Sequence, residues 1–314
     1  MNPAQRPEQP DWRGRRLPGL LPRGRAAPPL VERARRLPPL AIAVVHPCDA
    51  SSLGALAALH DSPLGGLLAP LIVAPRARLA RVAAEAGIDA SRWPLDEVPH
   101  SHAAAARAVE LAAAGSGLHT GKRISHCFLV ESPAYARPFI LTDAAVNIAP
   151  DLAQKAAITQ NAIDLAHTLG VGCPRVAVLC AVETVNPAMR ATLDAAALAK
   201  MAERGQLAGA IVDGPLAFDN AVSRRAALDK GIASPVAGRA EVLVVPDIEA
   251  GNLLAKQLEY LGGAASAGIV LGARVPIVLT SRADGAAARI ASCALAMYLA
   301  QTPGRSPAAL AEAP

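Results

Sequence analysis

Aromatic residues are scarce: Trp, Tyr and Phe together make up 3% of the 314 residues. Surfaces that stack bases on ring platforms are disfavoured by that count, and with them most single-strand and RNA binders. The core must be built from Ala, Val, Leu and Ile. Long apolar runs are lacking too. No stretch reaches the roughly 20 residues that span a bilayer, although the mean hydropathy is +0.29. The N-terminal region has no continuous apolar segment of signal-peptide length. Cysteine is sparse and unpatterned: Cys48, Cys127, Cys173, Cys180 and Cys293 form no Cys-x-x-Cys pair. An odd, scattered set fits reduced thiols in a cytoplasmic protein, where buried Cys acts as a small hydrophobe. No His/Cys/Asp cluster has metal-ligand spacing, so no metal is expected. The glycine patterns of dinucleotide and P-loop sites are absent, as is the Gly-x-Ser-x-Gly elbow.

Charge is plentiful but misplaced for a nucleic-acid binder. The chain has 31 Lys plus Arg against 26 Asp plus Glu, a net +5 and a pI of 9.2. Residues 1–36 hold nine Arg, no Lys and three acids (Glu8, Asp11, Glu32), a charge of +6 that leaves −1 for the other 278 residues. The basic balance thus belongs to the Pro/Arg-rich segment 1–38, read as a disordered tail, and neither nucleic acid nor a membrane is an expected partner. With 52% hydrophobic and 18% charged residues, the body can bury a core.

From residue 40, strand and helix signals alternate. Strands are expected at 41–45, 67–73, 124–130, 139–146, 176–181, 208–212, 242–245, 268–271 and 277–280. Helices are expected at 51–60, 76–87, 101–115, 151–170, 187–205, 220–230, 250–261 and 284–300. The strands are continuous Val/Ile/Leu/Ala runs, which implies an α/β fold with a parallel sheet covered by helices on both faces. Ligands bind such sheets beyond the carboxyl ends of the strands.

Those ends are polar. One carries Asp143 and Asn147, a second Glu183 and Asn186, a third Asp213 and Asp219. A fourth carries Asp247, Glu249, Asn252 and Lys256, and a fifth Ser281, Arg282 and Asp284. Singly, Asp143, Asp219 and Asp284 read equally well as helix N-caps, and Asn186-Pro187 as a turn that starts a helix. Together, five polar ends point to one small-molecule site. Arg282 and Lys256 would hold an anion there, the first as a bidentate fork and the second as a point charge.

The motifs in order resemble a known family. They include Gly121-Lys122-Arg123-Ile124-Ser125-His126, Thr142 to Asp151, Gln160-Asn161-Ala162, Ala181 to Pro187 and Asp213 to Asp219. Ser234 to Ala240, Pro246 to Asn252 and Thr280 to Asp284 complete the set. Over residues 40–300 the chain is similar to the phosphate acetyltransferase and phosphate butyryltransferase family. The likeness is strongest to the acyltransferase half of two-part proteins with an enoyl-CoA hydratase-like module in front. The resemblance implies a three-layer α/β/α fold in two domains, similar to the isocitrate and isopropylmalate dehydrogenases. The first domain would comprise 39–126 and 274–302, the second 127–273, and 303–314 a flexible end. The implied reaction is acyl-CoA plus phosphate giving acyl phosphate plus CoA, with direct attack by the CoA thiolate in a ternary complex. Coenzyme A is then a substrate and no permanently bound cofactor is expected. A homodimer is implied.

By motif, Ser281 and Arg282 would contact the oxyanion, phosphate and carbonyl. The family's acid beyond the Ser-Arg pair falls here on Ala288, so Asp284 is the substitute for the thiol base. Lys122 and Arg123 join the substrate contacts, with Asp143, Asn147, Glu183, Asn186, Asp213, Asp219, Asn252 and Lys256.

One family block is missing. A strand ending in Lys-Gly-x-Leu-His-Thr and a following helix normally come after the Ala-rich helix. Here Ala114-Gly115-Ser116-Gly117 runs straight into Leu118-His119-Thr120. On the order of 20 residues are gone, enough for one strand and one helix. The lost strand belongs in the first domain's sheet, and its loss removes a Lys and a His-Thr pair from the site. A second reading is therefore a paralogue that binds CoA, phosphate or a partner without turnover.

Overall fold

The computed structural model describes residues 17–20, 28–113, 120–281 and 283–301. Two sheets carry the fold. The first is parallel and three-stranded, in the order β1 (Leu40–Val45), β2 (Leu68–Ala74), β3 (Leu95–Glu97). Helices α1 (Pro29–Ala34), α2 (Ala50–His60), α3 (Arg76–Ala86) and α4 (Ser101–Ala113) accompany it. The second sheet has six strands: β4 (Ser125–Glu131), β5 (Phe139–Thr142), β6 (Arg175–Leu179), β7 (Ile211–Leu216), β8 (Val242–Val244) and β9 (Ala265–Leu271). Their spatial order is β7-β6-β8-β5-β4-β9. Helices α5 (Leu152–Thr168), α6 (Arg190–Glu203), α7 (Phe218–Val222), α8 (Arg224–Asp229), α9 (Ile248–Tyr260) and α10 (Ala286–Ala300) complete the chain.

Local chemistry explains the element ends. Asp151 starts α5 through a capping box: its carboxylate accepts the Gln154 N–H and the Gln154 side chain accepts the Asp151 N–H. Gly87, at φ 66°, ends α3 in the left-handed conformation that glycine adopts cheaply. Leu53, Leu56 and Ile72 from the first sheet's side join Leu129, Ile163 and Leu198 from the second in one buried cluster. Helix α10 adds Leu295 and Met297 to it and packs on α1, α2 and β9.

Four expectations are corrected. The second sheet is not wholly parallel, because β4 runs antiparallel to both β5 and β9. Only residues 132–138 join β4 to β5, too few for a crossover. Segment 28–38 is not a disordered tail. Leu30, Val31 and Ala34 bury one face of α1, and Leu17 and Leu20 are buried as well. Arg33 donates to the Tyr298 hydroxyl at 2.8 Å and lies 4.9 Å from that ring's centre. A six-residue helix opening on two prolines is too short to show through Pro/Arg-rich composition. Residues 1–16 and 21–27 and the expected flexible end 303–314 lie outside the described residues. The helix expected over 220–230 is two short ones, divided at Ser223, whose hydroxyl caps α8. The strand expected at 277–280 does not form, apart from a single bridge between Ile277 and Val270. No other described strand lies alongside to pair with it.

Candidate active site

Asp143, just beyond β5, is 3% exposed. Its Oδ1 accepts the N–H groups of Ala145 and Val146, each at 3.0 Å. Its Oδ2 accepts the His126 N–H at 3.1 Å and the Asn147 Nδ2 at 2.5 Å. Asn147 also donates to Ile124 O at 3.0 Å and accepts from Arg123 Nε at 2.8 Å. From α5, Asn161 donates to Arg123 O and to Ser125 Oγ, both at 2.9 Å. Asp143 and Asn147 are therefore loop clamps, and what they present is Arg123. Among the described residues its two terminal nitrogens have no partner. Lys122 is exposed and paired with Asp164 at 3.2 Å.

Helix α9 is capped by Asp247, whose carboxylate accepts the Ala250 N–H. It comes down on the same loop at Gly251, where a Cβ would sit 2.9 Å from Asp143 O. Only glycine allows that approach. Asn252 then reaches Ala144 O at 3.4 Å. One turn on, Lys256 donates to Glu259 at 2.9 Å and stands 3.8 Å from the Asp284 carboxylate. Burial pulls the Lys256 pKa down, but the Glu259 hydrogen bond and the charges of Glu259 and Asp284 outweigh it, so the ammonium is held above its ordinary value.

Ser281 and Asp284 close a turn. The Ser281 N–H donates to Asp284 Oδ2 at 2.7 Å and the Asp284 N–H to Ser281 O at 3.1 Å. Ser281 Oγ accepts the Ala283 N–H at 3.3 Å, leaving its own hydrogen to donate elsewhere. Arg289 of α10 holds the turn, donating to Asp284 O, Ser281 O and Ser51 Oγ at 3.2 Å each. Sequence reasoning missed Arg289, and the available signal was a cation one turn into the helix behind a Ser-Arg-x-Asp loop. Arg282 lies outside the described residues, as does His119. The turn stands between two cavities. One of about 650 Å³ is lined by Asp284, Glu259, Tyr260 and Ser266. The other, about 910 Å³, includes Thr280, Ser281 and Arg289.

Glu183 and Asp219 form a second group. Lys230 lies 3.4 Å from Glu183 and 3.2 Å from Asp219, and Asn220 Nδ2 donates to Glu183 at 3.3 Å. The Asp219 hydrogen bond leads in holding the Lys230 ammonium above its ordinary pKa. No hydrogen bond or ion pair among the described residues joins this group to the Ser281–Asp284 turn. Two candidates bond within their own segments. Asp213 is inside β7, not at its end, and its carboxylate accepts the next N–H, of Gly214, at 2.8 Å. The strand, expected to end at 212, continues through Gly214-Pro215 to Leu216. Asn186 is exposed and caps its own turn by accepting the Ala188 N–H at 2.9 Å.

His126 is fully buried beneath this site. Its ring packs edge-on to Phe128, with centroids 4.4 Å apart. Burial, the largest influence, holds its pKa below the ordinary 6.5, against the pull of the Asp143 charge. With the folded value below the unfolded one, the unfolded chain alone takes up a proton as pH falls through 6.5. Stability is therefore lost towards acid. In His126→Gln, the drop in urea-unfolding free energy from pH 7 to about pH 5.5 is expected to be smaller than in the wild type. Equal drops would show that His126 does not carry this dependence.

The described chain is thus an α/β protein in which the helix cations Lys256 and Arg289 stand beside a serine turn. Residues 104–297 match the family described as "Phosphate acetyl/butaryl transferase". A phosphate acetyltransferase of Rhizobium meliloti is 52% identical over 280 residues, covering 82% of this chain and 88% of its own length. A probable phosphate butyryltransferase of Bacillus subtilis is 51% identical over 181 residues, 58% of this chain and 60% of its own. The crystal structure of a branched-chain phosphotransacylase from Enterococcus faecalis V583 superposes with a TM-score of 0.71 at 29% identity, over 83% of this chain and 99% of that one. The chain belongs to the phosphate acetyl/butyryl transferase family. No described helix is long and apolar enough to cross a membrane. The described residues hold no group of three or more His, Cys, Asp and Glu suited to a metal.

Proposed function

We propose that the chain is a phosphate acyltransferase that interconverts acyl-CoA plus phosphate with acyl phosphate plus CoA, working on acetyl or butyryl groups. Family membership is the observation that carries this reading. Starting from acyl phosphate, the CoA sulfur attacks the carbonyl carbon, the carbon–oxygen bond to phosphate breaks, and phosphate leaves with the electron pair. Three tasks arise: holding the phosphate, stabilising the oxyanion, and taking the thiol proton. Arg123 supports the first task from a fixed position, with Lys256 adding charge nearby and Arg282 assigned from sequence. Ser281, its hydroxyl hydrogen uncommitted, suits the second. Asp284, at the rim of the 650 Å³ cavity, suits the third as an ionised acceptor. Coenzyme A acts as a substrate, with no resident cofactor, in a cytoplasmic homodimer.

The test is thioester formation from acetyl phosphate or butyryl phosphate and CoA. Turnover is expected, with Ser281→Ala lowering kcat about a hundredfold while the fold stays intact, the scale of a lost oxyanion donor. A Ser281→Ala enzyme at wild-type rate would remove Ser281 from the mechanism. The outer edge of β1, without a ladder partner among the described residues, favours a second reading, in which CoA and phosphate bind without turnover. Measured CoA binding with no thioester formed would select it, and absence of both would refute both.

A further inference from the structure

The outer edge of β1 is built to receive a strand. Leu40 N–H donates to Leu67 O at 2.8 Å and His46 N–H to Val73 O at 2.9 Å. In a parallel ladder that parity turns the backbone groups of residues 40, 42, 44 and 46 towards β2. Those of Ala41, Ala43 and Val45 point the other way. Since β1 is the edge of its sheet, these N–H and C=O groups have no ladder partner among the described residues.

The edge borders the cavity of about 910 Å³, whose far wall is residues 275–281. Helices α2, α4 and α10 supply the other walls, with Ala55 and Leu59 from the first, Ala108 and Leu111 from the second and Cys293 and Met297 from the third. Large apolar side chains stay unusually open here: Val45 is 44% exposed, Val109 39%, Leu111 36% and Leu279 45%. An apolar slot with a free strand edge on one wall matches an extended peptide, which can satisfy the edge through its backbone and the walls through its side chains.

The alignment with the Rhizobium meliloti relative says what is absent. Its 280 positions use 82% of this chain, which is about 257 of 314 residues, so about 23 positions have no counterpart here. The 181-residue match to the Bacillus subtilis relative uses 58%, about 182 residues, and needs no such gap. The missing positions therefore lie outside that match. Helix α4 packs across β2 and β1, carrying the chain from β3 back over the sheet towards the free edge. A crossover of that kind delivers a parallel strand.

We propose that the slot between β1 and residues 275–281 is a strand-acceptor site. It takes an extended, mostly apolar peptide segment of about six residues, laid parallel to β1 and bonded to the backbone of Ala41, Ala43 and Val45. The proposal concerns binding and does not depend on the catalytic reading.

The probe is a fluorescent synthetic peptide bearing the residues of the Rhizobium meliloti relative that fall opposite the missing positions. It is titrated with the full chain beside a scrambled control. Saturable binding and a raised Tm are expected for the native order alone. Ala43→Pro deletes an outward N–H, which an edge strand tolerates, so its Tm without peptide should stay close to wild type while affinity falls at least tenfold. Should that variant not fold, Val109→Asp on the α4 wall makes the same test. No saturable binding, equal binding of the scrambled peptide, or unchanged affinity in a folded variant would overturn the proposal. So would a chain ending at Gln301 with lowered Tm and raised peptide affinity, which would give the slot to this chain's own last residues. A dimer that the peptide dissociates would give it to a second copy and overturn the proposal equally.

Discussion

Asp194→Ala is expected to destabilise the fold by about 3–5 kcal/mol, read as a fall in the urea midpoint at unchanged m. Asp194 of α6 accepts from Lys155 of α5 at 2.8 Å, and the two side chains are 9% and 7% exposed. Arg190 reaches the same carboxylate only at 3.7 Å, from a side chain 75% exposed. Removing Asp194 leaves the ammonium buried with no anion to answer it. The neighbouring Cys180 registers how apolar the surroundings are: burial pushes its thiol up to about 11. Lys155→Met should cost a similar amount, for the mirror-image reason. Lys155→Met with Asp194→Leu should come back to within about 1 kcal/mol of wild type, because a buried pair replaced whole by apolar groups is often near neutral. Single variants costing under about 1 kcal/mol would mean that water reaches the pair, since that is the scale of an exposed bridge.

Most of the fold was legible because its signals are local and mutually consistent. The capping residue Asp151, the stop at Gly87 and the apolar strand runs each point to one element boundary. The pattern could not show where β4 lies, since a buried strand reads alike whether its neighbours are parallel or antiparallel. Nor could it show that 277–280 fails to pair, because pairing depends on a neighbour and not on the segment itself. The hidden helix α1 shows the same limit from the other side. Three buried residues in six carry too little period to compete with the surrounding prolines and arginines.

The candidate site was legible as a set of residues and not as a set of roles. A polar residue after a strand has two possible duties, and sequence does not separate them. Asn186 caps a turn, Asp213 braces its own strand, and Asp143 with Asn147 clamp a loop. Arg123 and Ser281, by contrast, are held by others and keep hydrogen-bonding capacity in reserve. Arg289 escaped notice because its partners, Ser51 and the Ser281–Asp284 backbone, come from two distant parts of the chain.

Asp143→Ala should therefore lose stability and activity together. Four donors converge on that carboxylate, from His126, Ala145, Val146 and Asn147. Hydrogen bonds to a charged acceptor contribute about 1.5–3 kcal/mol each and are not additive within one network, so a combined loss of about 4 kcal/mol is expected. The consequence for the site follows from geometry. Asn147 would no longer be fixed at its amide, so its hold on Arg123 Nε would loosen. The Asp143–Ala144 loop beneath Gly251 and Asn252 would loosen with it. Asp143→Asn keeps the shape and one acceptor oxygen and should fall between the two. Urea unfolding and the acyl phosphate assay, run on all three proteins, separate a clamp from a substrate contact. For a clamp, lost rate tracks lost stability across the series, and a KM for acyl phosphate that rises with instability marks the loosening of Arg123. An Asp143→Ala protein as stable as wild type yet slowed a hundredfold would assign Asp143 to the substrate and refute the clamp.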